Sequence, residues 1–255
     1  MTKIKKRNND QLSEPNIFLK LANGERIYPG EVKKIISGEL TLQRFKTGYE
    51  KASRTSIINH LIKIFDFKSY LEIGVRDCKN FDKIIISNKI GIDPKPRKTN
   101  KNIYIDTSDN YFKKNKKKFD LIFIDGLHLE KQVSKDIENS LNSLSDKGCI
   151  IMHDCNPPTE FHQREIYEVE GKIPAKGSPE SRWNGTTWRS FAKLRMTKKN
   201  LQMFCVNCDW GVGIIKKGSQ NIFESNDSLS YSLLDKNRKK ILNLISVSEF
   251  LNIFN

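Results

Sequence analysis

The sequence predicts an α/β protein: a doubly wound, mostly parallel, seven-stranded sheet with an antiparallel last strand, an N-terminal arm and a C-terminal helical extension. Three features of the chain lead there. From Arg54 onward, short apolar runs alternate with amphipathic stretches, the pattern of βαβ units stacked around a parallel sheet. Nearly every apolar run ends in an acid, a glycine or a histidine, as strands that carry a binding rim do. Late in the chain, two β-like runs are joined too tightly for a helical crossover, which makes them an antiparallel pair.

Residues 1–52 are polar and broken by Pro15, Pro29 and Gly30, and are expected to form an arm or small cap. The main domain is expected over 53–218. It opens with a helix marked by Ile57, Ile58, Leu61, Ile62 and Phe65 at helical spacing. Strands follow at 70–74, 89–93, 102–106, 119–125 and 149–153. Between the last two, Leu129, Val133, Ile137, Leu141 and Leu144 form one apolar helix face, and Gly148 stands where a left-handed turn could close the connection. Residues 155–190 hold Pro157, Pro158, Pro174, Gly177, Pro179 and Gly185, and an excursion of that length in a compact domain reads as a substrate loop. The antiparallel pair is expected at 201–208 and 210–216, turning through Asp209. The extension, 219–255, has helical spacing in Leu233, Leu234, Ile241, Leu244 and Ile245, suited to a cap or to an interface between copies.

The 255 residues are 37% hydrophobic, enough to bury a core. No stretch approaches the ~20 apolar residues of a membrane span, and the basic start has no apolar segment behind it, so a cytoplasmic protein is expected. Five scattered cysteines do not form a disulfide framework, and the Cys205/Cys208 spacing lacks the second pair a structural zinc site needs. A net charge of +15 would suit a polyanion partner, but the basic residues run from Lys3 to Lys240. Their densest run, Lys113 to Lys118, has no interleaved aromatics, which fits a solvated helix end better than a nucleic-acid groove.

The strand ends carry Glu72 and Gly74, then Asp93, Asp106, Asp125 and the pair His153-Asp154. Glu72-x-Gly74 followed by Asp77 lacks the later glycines of a pyrophosphate cradle. Asp93, about 20 residues beyond the glycine turn, is placed to accept both hydroxyls of a ribose. The expected ligand is a nucleoside without bridging phosphates.

Tyr70-Leu71-Glu72-Ile73-Gly74, Ile90-Gly91-Ile92-Asp93-Pro94 and the run from Phe119 to Gly126 resemble motifs of class I S-adenosylmethionine-dependent methyltransferases with a Rossmann-like fold. Asp125-Gly126-Leu127-His128 with His153-Asp154, Trp183-Asn184-Gly185-x-x-Trp188 and Asp209-Trp210-Gly211-Val212-Gly213 are similar, more narrowly, to a methyltransferase subgroup of polysaccharide biosynthesis, distantly similar to metal-dependent sugar O-methyltransferases. The resemblance covers about residues 54–254; in the first loop, Val75, Arg76, Asp77 and Cys78 replace the usual glycine-rich continuation. It implies S-adenosylmethionine as cofactor, with Glu72 and Gly74 on its methionine and ribose side, Asp93 on the ribose, Asp106 with Thr107 or Ser108 near the adenine, and Asp125 beside it.

Asp125, His153 and Asp154 end strands one crossover apart, so they should converge at one rim, where two carboxylates and an imidazole suit a divalent cation such as Mg2+. A sugar hydroxyl is a poor nucleophile at neutral pH; a bound cation lowers its pKa, and His128 can take the proton. His162, Arg164, Trp183 and Trp188 are the expected contacts to a sugar or glycan acceptor, through stacking and charge; His60 is expected to be structural. Asn156-Pro157-Pro158-Thr159 resembles the N-P-P-aromatic signature of amino-group methyltransferases acting on nucleic-acid bases, but it follows the fifth strand instead of the fourth, and Thr159 replaces the aromatic. A base or RNA methyltransferase and a non-catalytic cofactor-binding protein are the alternatives. Asp125, His128 and Asp154 together argue against the second.

Overall fold

A computed structural model describes residues 52–176 and 178–255. The arm expected over 1–52 therefore lies outside the described residues except for Ala52. The elements in chain order are α1 (Arg54–Phe65), β1 (Tyr70–Ile73), β2 (Lys89–Ile92), β3 (Ile103–Tyr104), α2 (Ser108–Lys114), β4 (Phe119–Ile124), α3 (Glu130–Ser143), β5 (Leu144–Met152), α4 (Thr187–Thr197), β6 (Leu201–Val206), β7 (Val212–Lys217), α5 (Tyr231–Ile241), β8 (Leu244–Ile245) and α6 (Val247–Ile253).

The strands form one sheet in the order β3-β2-β1-β4-β5-β7-β6-β8, in which β7 alone runs antiparallel to its neighbours. This is the doubly wound, mostly parallel sheet expected, with one short strand added: the tail is not purely helical, because Leu244 and Ile245 pair with Cys205 and Val206. β1 and β4 are mostly apolar, with Glu72 and Asp120 their polar exceptions, which suits the middle of the sheet, and both are covered on two faces. On one face Leu71, Ile122, Ile150 and Met152 meet α3, α4 and α5. On the other Tyr70, Leu121, Phe123 and Ile151 meet α1 and α6.

Local sequence explains the ends of these elements. Ser53 caps α1 reciprocally with Ser56, satisfying amides that the first turn leaves free. His60 on α1 bonds the Phe254 carbonyl (2.8 Å) and packs edge-on against Phe250, the structural role expected. β3 is only two residues long, so Asp106 falls beyond it. Gly148 makes no left-handed turn: β5 starts directly after α3 and runs through it, and a Cβ there would lie 2.8 Å from the Asp120 carbonyl oxygen. Its backbone needs that close approach.

The tail is a cap on its own chain. Leu233, Leu234, Ile241 and Leu242 are buried, Tyr231 donates to the Pro158 carbonyl (2.8 Å), and Arg238 donates to Asn156 Oδ1 and the Pro157 carbonyl. Asn156-Pro157-Pro158 is thus pinned from below as the rigid start of the long loop. No helix among the described residues is long and apolar enough to cross a membrane.

Candidate active site

Because β1, β4 and β5 are consecutive in the sheet, Gly74, Asp125 and His153-Asp154 meet at one rim, beside the point where strand order reverses. Gly74 has φ +90°, and a Cβ on it would lie 2.2 Å from the Asp125 carbonyl oxygen. Only glycine lets the two strand ends approach this closely. A cleft of about 1480 Å³ opens over the rim. Single-ligand pockets span roughly 300–1,000 Å³, so a nucleoside cofactor and an acceptor fit together.

One wall carries the groups expected for the cofactor. Glu72 is buried, with Tyr70 Oη (2.5 Å) and Asn80 Nδ2 (2.9 Å) donating to its Oε2. Desolvation outweighs these bonds and lifts its pKa to about 7. Asp93 accepts the Arg76 amide on one oxygen and the Lys95 amide on the other, both at 2.8 Å, which fixes its carboxylate past the end of β2. The glycine-poor first loop bends through left-handed Arg76 and Cys78, and the Asp93 bond holds that bend. Thr107 and Ser108 line the cleft, with Ser108 Oγ bonded to Asp136 (2.6 Å). Asp106 does not line it; its Oδ1 accepts from Thr107 N and Asn110 Nδ2.

The opposite corner is dense in charge. His128 Nε2 lies 3.3 Å from Asp125 Oδ1, and its Nδ1 lies 3.4 Å from Asp154 Oδ2. Desolvation pulls the His128 pKa down, but the Asp154 and Asp125 carboxylates outweigh it and raise it above the ordinary histidine value. One donor atom from each of Asp125, His128 and Asp154 lies within 4.8 Å of the others, a spacing a single cation can span. His153 of the expected metal set, Asp125, His153 and Asp154, lies at the same corner, its Nδ1 3.0 Å from Asp154 Oδ2 and 3.4 Å from Asp125 Oδ1 and its Nε2 2.8 Å from Arg54 Nη1; His128 is likewise engaged on both nitrogens, its Nδ1 also 3.3 Å from the Trp183 carbonyl oxygen.

The end of the long loop fastens this corner. Trp183 stacks on His128 (centroids 5.2 Å, 26°), and Asn184 Nδ2 donates to Asp154 Oδ1 at 2.9 Å. At Gly185 the φ is +59°, and a Cβ would sit 2.1 Å from the His128 carbonyl oxygen, which accepts the Thr186 amide at 2.8 Å. The Trp-Asn-Gly sequence is thereby explained residue by residue.

The other expected acceptor contacts sit elsewhere. Trp188 belongs to α4 and is fully buried in the core, its Nε1 on Gln163. Arg164 donates to the carbonyls of Phe161, Tyr167, Glu180 and Arg182 and so folds the loop on itself. His162 is buried against Thr159 Oγ1 (2.7 Å), its pKa pushed down to about 3 by burial and by Arg164 and Arg182. None of these three lines the cleft, whereas Trp183 and Tyr167 do. Cys205 and Cys208 are buried and form no disulfide.

Sequence reasoning missed Arg54 and Asp209. The guanidinium of Arg54, at the start of α1, has Nε 3.7 Å from Asp125 Oδ2 and Nη1 3.4 Å from Asp209 Oδ2; its backbone N–H donates to Asp209 at 2.8 Å. Asp209 stands in the β6–β7 turn, where Asp209, Trp210 and Gly211 all have positive φ. Asp209-Trp210-Gly211 was visible as a motif; nothing in the sequence around Arg54 marked it.

Residues 80–155, which hold β2 to β5 and the Asp125, His128 and Asp154 group, match the family Methyltransf_24, described as a methyltransferase domain. No curated protein sequence matches the chain. Among solved structures, the S-adenosylhomocysteine-bound methyltransferase PaMTH1 of Podospora anserina is similar at 13% identity and a TM-score of 0.49, over 86% of this chain and 100% of that one. An O-methyltransferase of Bacillus cereus in complex with S-adenosylhomocysteine is similar at 13% identity and a TM-score of 0.40, over 78% and 94%. The O-methyltransferase TomG of Streptomyces achromogenes is similar at 8% identity and a TM-score of 0.44, over 80% and 96%. The match covers residues 80–155 of the 255, and those residues lie in a doubly wound sheet with one antiparallel strand, the arrangement expected of a class I methyltransferase.

Proposed function

We propose that this protein is an S-adenosylmethionine-dependent O-methyltransferase that works with a divalent cation on a hydroxyl of a sugar or glycan precursor. The observation that carries the proposal is the convergence of Asp125, His128 and Asp154 in the same cleft as Glu72, Gly74 and Asp93. Asp93, fixed by two loop amides, keeps lone pairs for ribose hydroxyls, and Ser108 lies beyond it for the adenine side.

The donor chemistry fits a cation. Asp125 and Asp154 supply hard oxygen ligands carrying two negative charges, which a dication neutralises with His128 uncharged. Bound there, such an ion lowers the pKa of a hydroxyl at the site. His128, which sits between the two acids and would stay outside the cation's ligands, is the group that receives the hydroxyl proton. The remaining requirement is alignment of oxygen, methyl carbon and sulfonium, a positioning task that the rigid strand ends suit. Trp183 and Tyr167 offer aromatic faces to a sugar ring.

The test is transfer of labelled methyl from S-adenosylmethionine to a panel of sugars, sugar phosphates and nucleotide sugars, with and without chelator. Activity is expected on a hydroxyl acceptor, abolished by chelator and by Asp154→Ala. His128→Ala is expected to lower kcat by about 10²–10⁴ while leaving Mn2+ affinity within a few-fold. Full activity in chelator would remove the cation from the mechanism, and methylation of RNA or DNA in place of every sugar would replace the acceptor class.

A further inference from the structure

Three carboxylates meet at the corner, yet the cation group uses only two of them. Asp125 and Asp154 contribute to it, whereas Asp209 is turned to Arg54, which contacts it through both its guanidinium (3.4 Å) and its backbone amide (2.8 Å). The same guanidinium lies 3.7 Å from Asp125 Oδ2, on the far side of the carboxylate from the Oδ1 that faces His128 at 3.3 Å. Asp125 is thus divided, one oxygen toward the cation position and one toward a resident positive charge. Both Arg54 and Asp209 line the cleft, and nothing else in the proposed chemistry employs them.

We propose that Arg54 and Asp209 are a charge-balancing pair that sets the divalent-cation affinity of the Asp125 and Asp154 carboxylates, Arg54 lowering it and Asp209 raising it. The inference rests on the proposed cation site. Taken together, the two carboxylates of the group carry the charge of one dication, and the Arg54–Asp209 pair is neutral beside them. Removing Arg54 leaves three acids with one positive charge fewer beside them, His153 staying within 3.5 Å of each, and attraction for a dication rises. Removal of the Asp209 charge leaves an unbalanced guanidinium within reach of Asp125, and attraction falls. A merely structural role gives a different pattern, since losing either partner would loosen the corner and weaken binding in both variants.

The experiment is Mn2+ titration of the full chain followed by electron paramagnetic resonance, without acceptor or turnover, on wild type, Arg54→Gln, Asp209→Asn and the double variant. Thermal melting and S-adenosylhomocysteine binding serve as controls for folding. Arg54→Gln is expected to tighten Mn2+ by about tenfold and Asp209→Asn to weaken it by a similar factor, as one unit charge a few ångströms from a dication implies. The double variant is expected near wild type, and Arg54→Lys, which keeps the charge, within a few-fold. If Arg54→Gln alone does not fold, the same change in the Asp209→Asn background supplies the sign. Weakening in both single variants, or no change in either, overturns the pair's role while leaving the cation site standing. Absence of Mn2+ binding to wild type overturns the site and the pair together.

Discussion

Glu72 shows how much one buried side chain can report. Its pKa rises from 4.5 to about 7 because burial disfavours the carboxylate more than Tyr70 and Asn80 favour it. A group whose folded pKa is raised binds its proton more tightly in the native state, so its contribution to stability is fully present below about pH 4.5 and is lost as pH climbs through about 7. At about 1.4 kcal/mol per unit, the loss is on the order of 3 kcal/mol. Urea unfolding of wild type and Glu72→Gln at pH 5 and pH 8 checks this: the stability difference is expected to shift toward the variant at the higher pH, and a pH-independent difference would show that Glu72 ionises freely. The residue itself was legible from its place before Gly74 at a strand end. Its high pKa was not, because that depends on how completely the surrounding fold desolvates the carboxylate against the opposing bonds from Tyr70 and Asn80. The same limit explains the corner. Asp125, His128 and Asp154 were each visible, but the rotamer that commits His153 to Arg54 is a consequence of packing between α1 and the end of β5.

Among the elements, strands were read more reliably than loops because a buried parallel strand must be mostly apolar, as β1, β2, β4 and the second half of β5 are. The long loop gave up less. Its Pro and Gly residues announced an irregular path, but which aromatic faced the cleft depended on where α4 began. With the helix starting at Thr187, Trp188 turns into the core, and Trp183, still in the loop, stacks on His128. Elements also approach closely at Gly74, where β1 meets the end of β4. Gly74→Ala places a Cβ 2.2 Å from the Asp125 carbonyl in a backbone with φ +90°, and is expected to cost more than about 2 kcal/mol of stability. It should also displace Asp125 enough to weaken S-adenosylhomocysteine binding at least about tenfold. Denaturant midpoints and calorimetry on the purified variant check both, and an alanine protein with unchanged stability and affinity would mean that the strand ends are not held as close as described.

For the molecule as a whole, an ordinary parallel sheet gathers two kinds of chemistry at one edge. Strand order puts Glu72, Asp93 and Asp125 on adjacent carboxyl ends, and the antiparallel β7 returns the chain so that the turn at Asp209 closes the same cleft. This convergence was foreseeable from acids at the ends of successive apolar runs, since parallel strands must place such residues on one rim. The eighth strand was not, because two residues carry almost no periodic signal. The cofactor assignment comes before cation, acceptor and proton acceptor, all of which depend on it. Calorimetric titration of the wild-type protein with S-adenosylhomocysteine, repeated on Asp93→Ala, tests it most directly. Micromolar binding, about −8 kcal/mol, reduced at least about tenfold in Asp93→Ala through loss of the ribose contact, is the expected result; no measurable heat with wild type, or equal affinity in the two proteins, would contradict it.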